Sequence, residues 1–129
     1  MRLLLDTHIL LWWLSDHTSL PMAARVAIRA PSSDVFVSAA SAWEIAIKRA
    51  LGKLDFPIAQ FAEILTAEGF EPLGIAVDHA VIAGGLPLHH NDPFDRMLVA
   101  QAQHEGLTLV TTNPMIRRYA VAVLGPASE

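Results

Sequence analysis

The apolar positions of this chain change period as one reads along it, and the changes mark out elements. Residues 3–5 form an apolar run of three leucines ending at Asp6, which suits a short strand buried on both faces, with a helix over 9–14 after the turn. Pro21 opens a second helix, with Ala23, Ala24, Ala27 and Ile28 at helical spacing, and Pro31-Ser32-Ser33 ends it. Val35-Phe36-Val37 reads as a second strand. From 40 to 51 the spacing returns to 3.6, with Trp43, Ala46, Ile47, Ala50 and Leu51 on one face and Gly52 as a stop. Pro57 begins an amphipathic helix through Ile58, Phe61, Ala62, Ile64 and Leu65 that closes near Gly69. A weak strand at 70–75 and a helix over 79–84 follow. Pro93 sits at the start of a helix carrying Phe94, Met97, Leu98 and Ala102, which Gly106 ends. Residues 107–111 make a further strand, Asn113-Pro114 starts a short helix, and 121–123 suits a last edge strand. Strands alternating with helices imply right-handed crossovers and a mainly parallel sheet covered on both faces.

Composition adds limits to this picture. At 129 residues and 14.0 kDa the chain is expected to form a single domain over 1–129. Hydrophobic residues make up 53% and charged residues 17%, an apolar balance that leaves surface for a partner or a second copy. The formal charge of −4 argues against a broad basic face, so any nucleic-acid contact must be local. There is no cysteine, which removes disulfides and thiolate metal sites and permits a reducing cytoplasm. Asp6 and His8 interrupt the apolar N-terminus, and no run approaches the roughly 20 residues of a membrane span. A soluble, cytoplasmic chain without membrane association is expected.

Chemistry enters where polar residues meet strand ends. In an open parallel sheet, ligands bind outside the carboxyl ends of the strands. Asp6 follows the first strand, Glu44 lies early in the helix after the second, Asp92 and Asp95 open a late helix, and Asn113 follows the strand ending at Thr111. Each has a structural explanation. Asp6, Asp92 and Asn113 suit helix caps, Asp95 suits a helix dipole, Ser41-Ala42-Trp43-Glu44 matches a capping box, and Glu44 with Lys48 matches a helical ion pair. Capping alone does not require carboxylates so consistently at one edge of the sheet, when other helices start at Pro21 and Pro57.

Clustered carboxylates repel one another unless a cation neutralises them. Oxygen ligands without cysteine or a helical histidine pair favour Mg²⁺, with Mn²⁺ as a substitute, over Zn²⁺. The adjacent His89-His90 are read as exposed loop residues and not as ligands. An Mg²⁺ site suits hydrolysis of a phosphodiester. No Gly-rich phosphate loop, Walker lysine, dinucleotide fingerprint or nucleophile elbow is present.

The order Leu3-Leu4-Leu5-Asp6-Thr7-His8, Ser38 through Trp43-Glu44, Asp92-Pro93-Phe94-Asp95-Arg96-Met97-Leu98-Val99-Ala100 and Thr111-Thr112-Asn113 resembles a PIN domain, and more narrowly the VapC-type toxins of bacterial toxin–antitoxin pairs. The resemblance covers nearly the whole chain. It implies a three-layer α/β/α sandwich, Mg²⁺-dependent endoribonuclease activity, a homodimer and inhibition by a cognate antitoxin. Carried over by residue, Asp6, Glu44 and Asp95 match the acids that hold metal, and Asp92 an additional acid. Thr7 and Thr111 become hydroxyl neighbours. Asn113 departs from the usual aspartate; its carbonyl oxygen can still ligate, but one charge is lost and a second metal should bind more weakly. The implied mechanism has metal on Asp6 and Asp95 activating water for in-line attack on an RNA phosphate, with Glu44 as ligand or base, leaving a 5′-phosphate and a 3′-hydroxyl. Lys48, Arg49, Arg96 and Arg117 are candidates for RNA backbone contacts.

Trp12, Trp13, Trp43, Ile47, Leu51 and Leu54 read either as core or as an apolar groove for an antitoxin segment. Two rivals stay open. A catalytically weak or inactive PIN domain serving as a binding module is kept alive by Asn113. A receiver-like phosphoacceptor domain needs an acidic pair after the first strand and a late lysine, whereas Asp6 precedes Thr7-His8 and no lysine follows Lys53.

Overall fold

A computed structural model of the chain describes residues 1–125. Its frame is a sheet of five parallel strands, β1 (Arg2–Leu5), β2 (Asp34–Ser38), β3 (Glu71–Leu73), β4 (Thr108–Val110) and β5 (Val123–Leu124), in the spatial order β3-β2-β1-β4-β5. The helices are α1 (Thr7–Leu14), α2 (Met22–Arg29), α3 (Ala39–Ala50), α4 (Phe61–Glu68), α5 (Val77–Gly85) and α6 (Pro93–Glu105). The result is the expected α/β/α sandwich.

The leucine run explains why β1 is central. Leu3, Leu4 and Leu5 have no exposed surface. Because successive strand side chains point to opposite faces, Leu3 and Leu5 enter one core with Ile9, Val35, Val37 and Val110. Leu4 enters the other with Leu98, Val99, Leu109 and Ile116. Each such side chain, removed from water, contributes about 1.5–3 kcal/mol. Register ties β1 to both neighbours, with Leu4 opposite Phe36 on β2 and Leu109 on β4.

Several boundaries differ from the sequence expectation for local reasons. α1 starts at Thr7 because Asp6 caps it, its Oδ1 accepting from the Ile9 N–H at 2.8 Å. α3 starts at Ala39 because Ser38 is the cap, its hydroxyl accepting from the Ala40 N–H at 2.9 Å, so Ser41 lies inside the helix and the Ser41–Glu44 capping box does not form. Pro57 leads into a 3₁₀ turn (Ile58–Gln60), and α4 proper begins at Phe61. Gly69 and Gly106 end α4 and α6 in the left-handed conformation, with φ of 74° and 68°. After Asn113-Pro114 the chain makes only a 3₁₀ turn (Ile116–Arg118). The last strand falls at Val123–Leu124, not 121–123, because pairing of Leu109 with Val123 and Val110 with Leu124 sets its place, while Val121 packs on the second core. Helices α5 and α6 are joined by the buried His79, whose Nδ1 accepts from the Ala76 N–H at 2.9 Å and whose Nε2 lies 2.8 Å from Glu105 Oε2. Among the described residues no helix is long and apolar enough to cross a membrane.

Candidate active site

The strand order reverses direction at β1: the chain adds β2 and β3 on one side, then returns to add β4 and β5 on the other. Crossovers diverge there, and a crevice opens beyond the carboxyl ends of β1 and β4. A cavity of about 260 Å³ occupies it, lined by Asp6, Thr7, Glu44, Lys48, Asp92, Asp95 and Asn113, together with His8, His90 and Thr112. Residues more than a hundred positions apart in sequence thus face one space.

Asp6 is held hardest. Its N–H donates to the Val110 carbonyl at 3.0 Å, its Oδ1 caps α1, and its Oδ2 accepts a short hydrogen bond from the Thr111 hydroxyl. Only 5% of it is exposed. Burial pushes its carboxyl up to about 6; the bonds from Thr111 and Ile9 pull down, and the Asp95 charge adds to the rise.

Glu44 on α3 is also buried. Its Oε1 accepts from the Thr7 hydroxyl at 2.6 Å, and its Oε2 pairs with Lys48 Nζ at 2.9 Å, the expected pair one turn apart. The ion pair holds Lys48 at the mouth of the pocket. Arg49 instead lines a separate surface depression with Lys53 and Asp55, and Arg117 is not among the residues lining the acidic pocket.

Asp92 and Asp95 sit where α6 begins. Asp92 is the cap, its Oδ1 accepting from the Asp95 N–H at 3.0 Å, and Pro93 opens the first turn. Capping and a place in the pocket therefore coexist at this site. Burial raises the Asp95 carboxyl above its ordinary range, the charges of Asp92 and Glu44 add to that, and the hydrogen bond with His90 opposes it.

Asn113 Oδ1 accepts from the Met115 N–H at 2.9 Å in the turn, which leaves it one further lone pair, and its Nδ2 faces Asp95 Oδ2 at 3.4 Å. Asn113 offers the pocket a donor. His90, read from sequence as an exposed loop residue, enters the site with Nε2 2.8 Å from Asp95 Oδ2. The signal that could have found it was its place two residues before the Asp92 cap, where the incoming loop must pass the first turn of α6. Its neighbour His89 packs edge-on against Tyr119 instead.

Arg96 is a correction. Its guanidinium donates to the carbonyl oxygens of Ala83, Leu86, Pro87 and His90, which removes it as a candidate RNA contact. The apolar candidates divide. Trp12, Trp13 and Leu54 pack partly buried on the first core, with Trp13 Nε1 donating to Glu68 Oε1 at 2.8 Å. Trp43 on α3 and Leu51 at its C-cap are exposed, about two turns apart, with the half-buried Ile47 between them. A second cavity, about 310 Å³, lies between α3, α4 and β3; it is apolar and holds no ionisable group.

The donor set suits a hard divalent cation. Asp6, Glu44, Asp92 and Asp95 supply oxygens without sulfur, burial raises the carboxyls of Asp6 and Asp95, and Lys48 is paired with Glu44.

The model of the PIN domain matches residues 3–122. The chain is 33% identical over 119 residues to Ribonuclease VapC22 of Mycobacterium tuberculosis, covering 90% of each protein. Among solved structures it resembles VapBC2 from Rickettsia felis bound to a DNA fragment from their promoter, with a TM-score of 0.73, 17% identity and coverage of 96% of this chain and 98% of that one. It also resembles a toxin–antitoxin complex from Klebsiella pneumoniae, with a TM-score of 0.67, 21% identity and 98% of each chain covered.

Proposed function

Since the chain belongs to the PIN domain family and resembles its VapC-type members, we propose that it is a metal-dependent endoribonuclease, the toxin of a toxin–antitoxin pair. The observation that carries this reading is the buried Asp6 facing Asp95 across a polar crevice at the sheet's switch point, both carboxyls raised by burial.

Asp6 and Asp95 would hold the ion, with Glu44 and Asp92 beside them, and Mg²⁺ is the proposed cofactor with Mn²⁺ as substitute. When bound, the ion supplies positive charge that makes an attacking water more acidic and offsets the charge of the phosphate. The chain's own groups do the rest. Thr111 and the α1 N-terminus keep Asp6 in one orientation. Thr7 and Lys48 fix both oxygens of Glu44, which is the proposed acceptor of a proton from water. Lys48 and the exposed Arg49 are the proposed contacts to RNA phosphates, and Arg117 is proposed as a third. Attack by water on the phosphorus with departure of the 3′-oxygen, which takes up a proton, would leave a 5′-phosphate and a 3′-hydroxyl.

Trp43, Ile47 and Leu51 form the proposed antitoxin-facing strip, since their helix also carries Glu44 and Lys48. A homodimer and a cytoplasmic location belong to the same proposal. Purified protein incubated with total RNA, with Mg²⁺ or with chelator, tests it by end mapping. The proposal requires cleavage with Mg²⁺, none with chelator, and none by Asp6→Asn; cleavage that persists in Asp6→Asn refutes it.

A further inference from the structure

The loop between α5 and α6 is held by two side chains that have no contact with the acidic groups. Arg96 follows Asp95 in sequence, and its Nη2 donates to the carbonyl oxygens of Ala83 at 2.9 Å and Leu86 at 3.0 Å. Its Nη1 donates to Pro87 O at 3.0 Å and His90 O at 3.3 Å. These carbonyls lie at the end of α5 and in the loop beyond it, where the last turn of a helix leaves acceptors unmatched. The second side chain, the buried Tyr119, donates its hydroxyl to Pro87 O at 2.9 Å and accepts from the His90 N–H at 3.0 Å.

His90 is therefore tethered through both of its backbone polar groups, the N–H by Tyr119 and the carbonyl by Arg96. What remains free is the ring, and its Nε2 lies 2.8 Å from Asp95 Oδ2. With Asp95 ionised as a ligand must be, an N–H is what stands between two such atoms, because a bare ring nitrogen and a carboxylate would present lone pairs to each other. Asn113 Nδ2 approaches the same oxygen at 3.4 Å. Both donors fall on Oδ2, and among the described residues no hydrogen bond to Oδ1 is found, so Oδ1 is the oxygen left for a cation.

We propose that His90 is a positioning residue for Asp95, and that Arg96 and Tyr119 hold it in place. The imidazole N–H pins one carboxylate oxygen and so fixes the direction in which the other is offered. The inference rests on the metal-dependent function proposed above and deepens it. It gives Arg96 a role in the site through the loop, not through RNA.

The test measures Mn²⁺ and Mg²⁺ affinity by chelator competition, independently of RNA, and then cleavage at saturating metal. Removing an outer partner of a metal-binding carboxylate weakens binding by about 10–100-fold, and His90→Ala is expected to do so for both ions alike. His90→Gln, whose side-chain amide can donate to the same oxygen, should bind both ions nearly as well as the unsubstituted protein. Tyr119→Phe keeps its shape and lies outside the pocket, yet should weaken both ions in the same direction as His90→Ala. With metal saturating, KM for RNA should be unchanged in all three. In ¹⁵N spectra the His90 ring should carry its proton on Nε2, and Asp95→Asn should shift that signal.

Unchanged affinity in His90→Ala overturns the proposal, as does failure of His90→Gln to rescue. A loss confined to Mn²⁺ also overturns it, because it would make the imidazole itself a ligand. If the unsubstituted protein neither binds Mn²⁺ nor cleaves RNA, the proposed function fails; if it does both and the variants match it, only the positioning role fails.

Discussion

Replacing Asp6 by Asn should make the metal-free protein more stable at neutral pH while destroying its response to metal. The folded protein holds the Asp6 proton more tightly than the unfolded chain does, with the carboxyl at about 6 against an ordinary 3.8. Its contribution to stability is therefore complete below about pH 4 and disappears as pH rises through 6. A rise of about 2 pH units, each worth about 1.4 kcal/mol, makes that contribution about 3 kcal/mol. Asn keeps an oxygen for the Ile9 N–H and can turn its amide toward the Thr111 hydroxyl, so the geometry around residue 6 survives without the buried charge. Urea unfolding in chelator, from pH 4.5 to 7.5, should show the unsubstituted protein losing about 2 kcal/mol more than Asp6→Asn, part of the contribution being already lost at pH 4.5. At pH 7.5 the variant should be the more stable of the two. Adding Mg²⁺ should stabilise the unsubstituted protein and leave the variant unmoved. The opposite order at pH 7.5 in chelator, or parallel pH profiles, would refute the argument that burial of an ionised Asp6 strains the empty site.

Other perturbations separate the roles of neighbouring groups. Asn113→Asp replaces a donor beside Asp95 with a carboxylate, so metal-free stability at pH 7.5 should fall by about 1–2 kcal/mol and Mn²⁺ should bind more tightly, as calorimetry would show. Thr7→Val removes the hydroxyl that holds Glu44 Oε1. Cleavage should drop by about tenfold with little change in KM, and unchanged kinetics would remove Thr7 from the mechanism. Gly125 leaves no room for a side chain, because a Cβ there would collide with the Thr111 carbonyl oxygen. Gly125→Ala should cost about 1–3 kcal/mol in thermal unfolding and weaken metal binding by displacing Thr111 from Asp6.

Read from the sequence alone, the local features came through well. Three leucines ending at Asp6 specify a buried strand followed by a capped helix, and Asp92-Pro93 specifies the start of α6, because strand burial and helix capping depend on residues within a turn of each other. The order of acids along the chain also carried the family resemblance. Where a competing local pattern existed, sequence could not choose: Ser38 and Ser41 both suit a cap, and only the end of β2 on the sheet selects Ser38. Likewise the cation of Arg96 reads as a phosphate contact until the end of α5 surrounds it with carbonyls.

What the tertiary structure alone decided is which polar atoms meet. The Asp6–Thr111 bond spans 105 positions and exists because β4 pairs beside β1. The entry of His90 depends on Tyr119 and Arg96 together, one from the chain before β5 and one from α6. Periodicity and capping report whether a residue faces a core or ends a helix. The direction of a side-chain hydrogen bond depends on partners brought together from distant parts of the chain, and those partners made Asn113 a donor and His90 a member of the site.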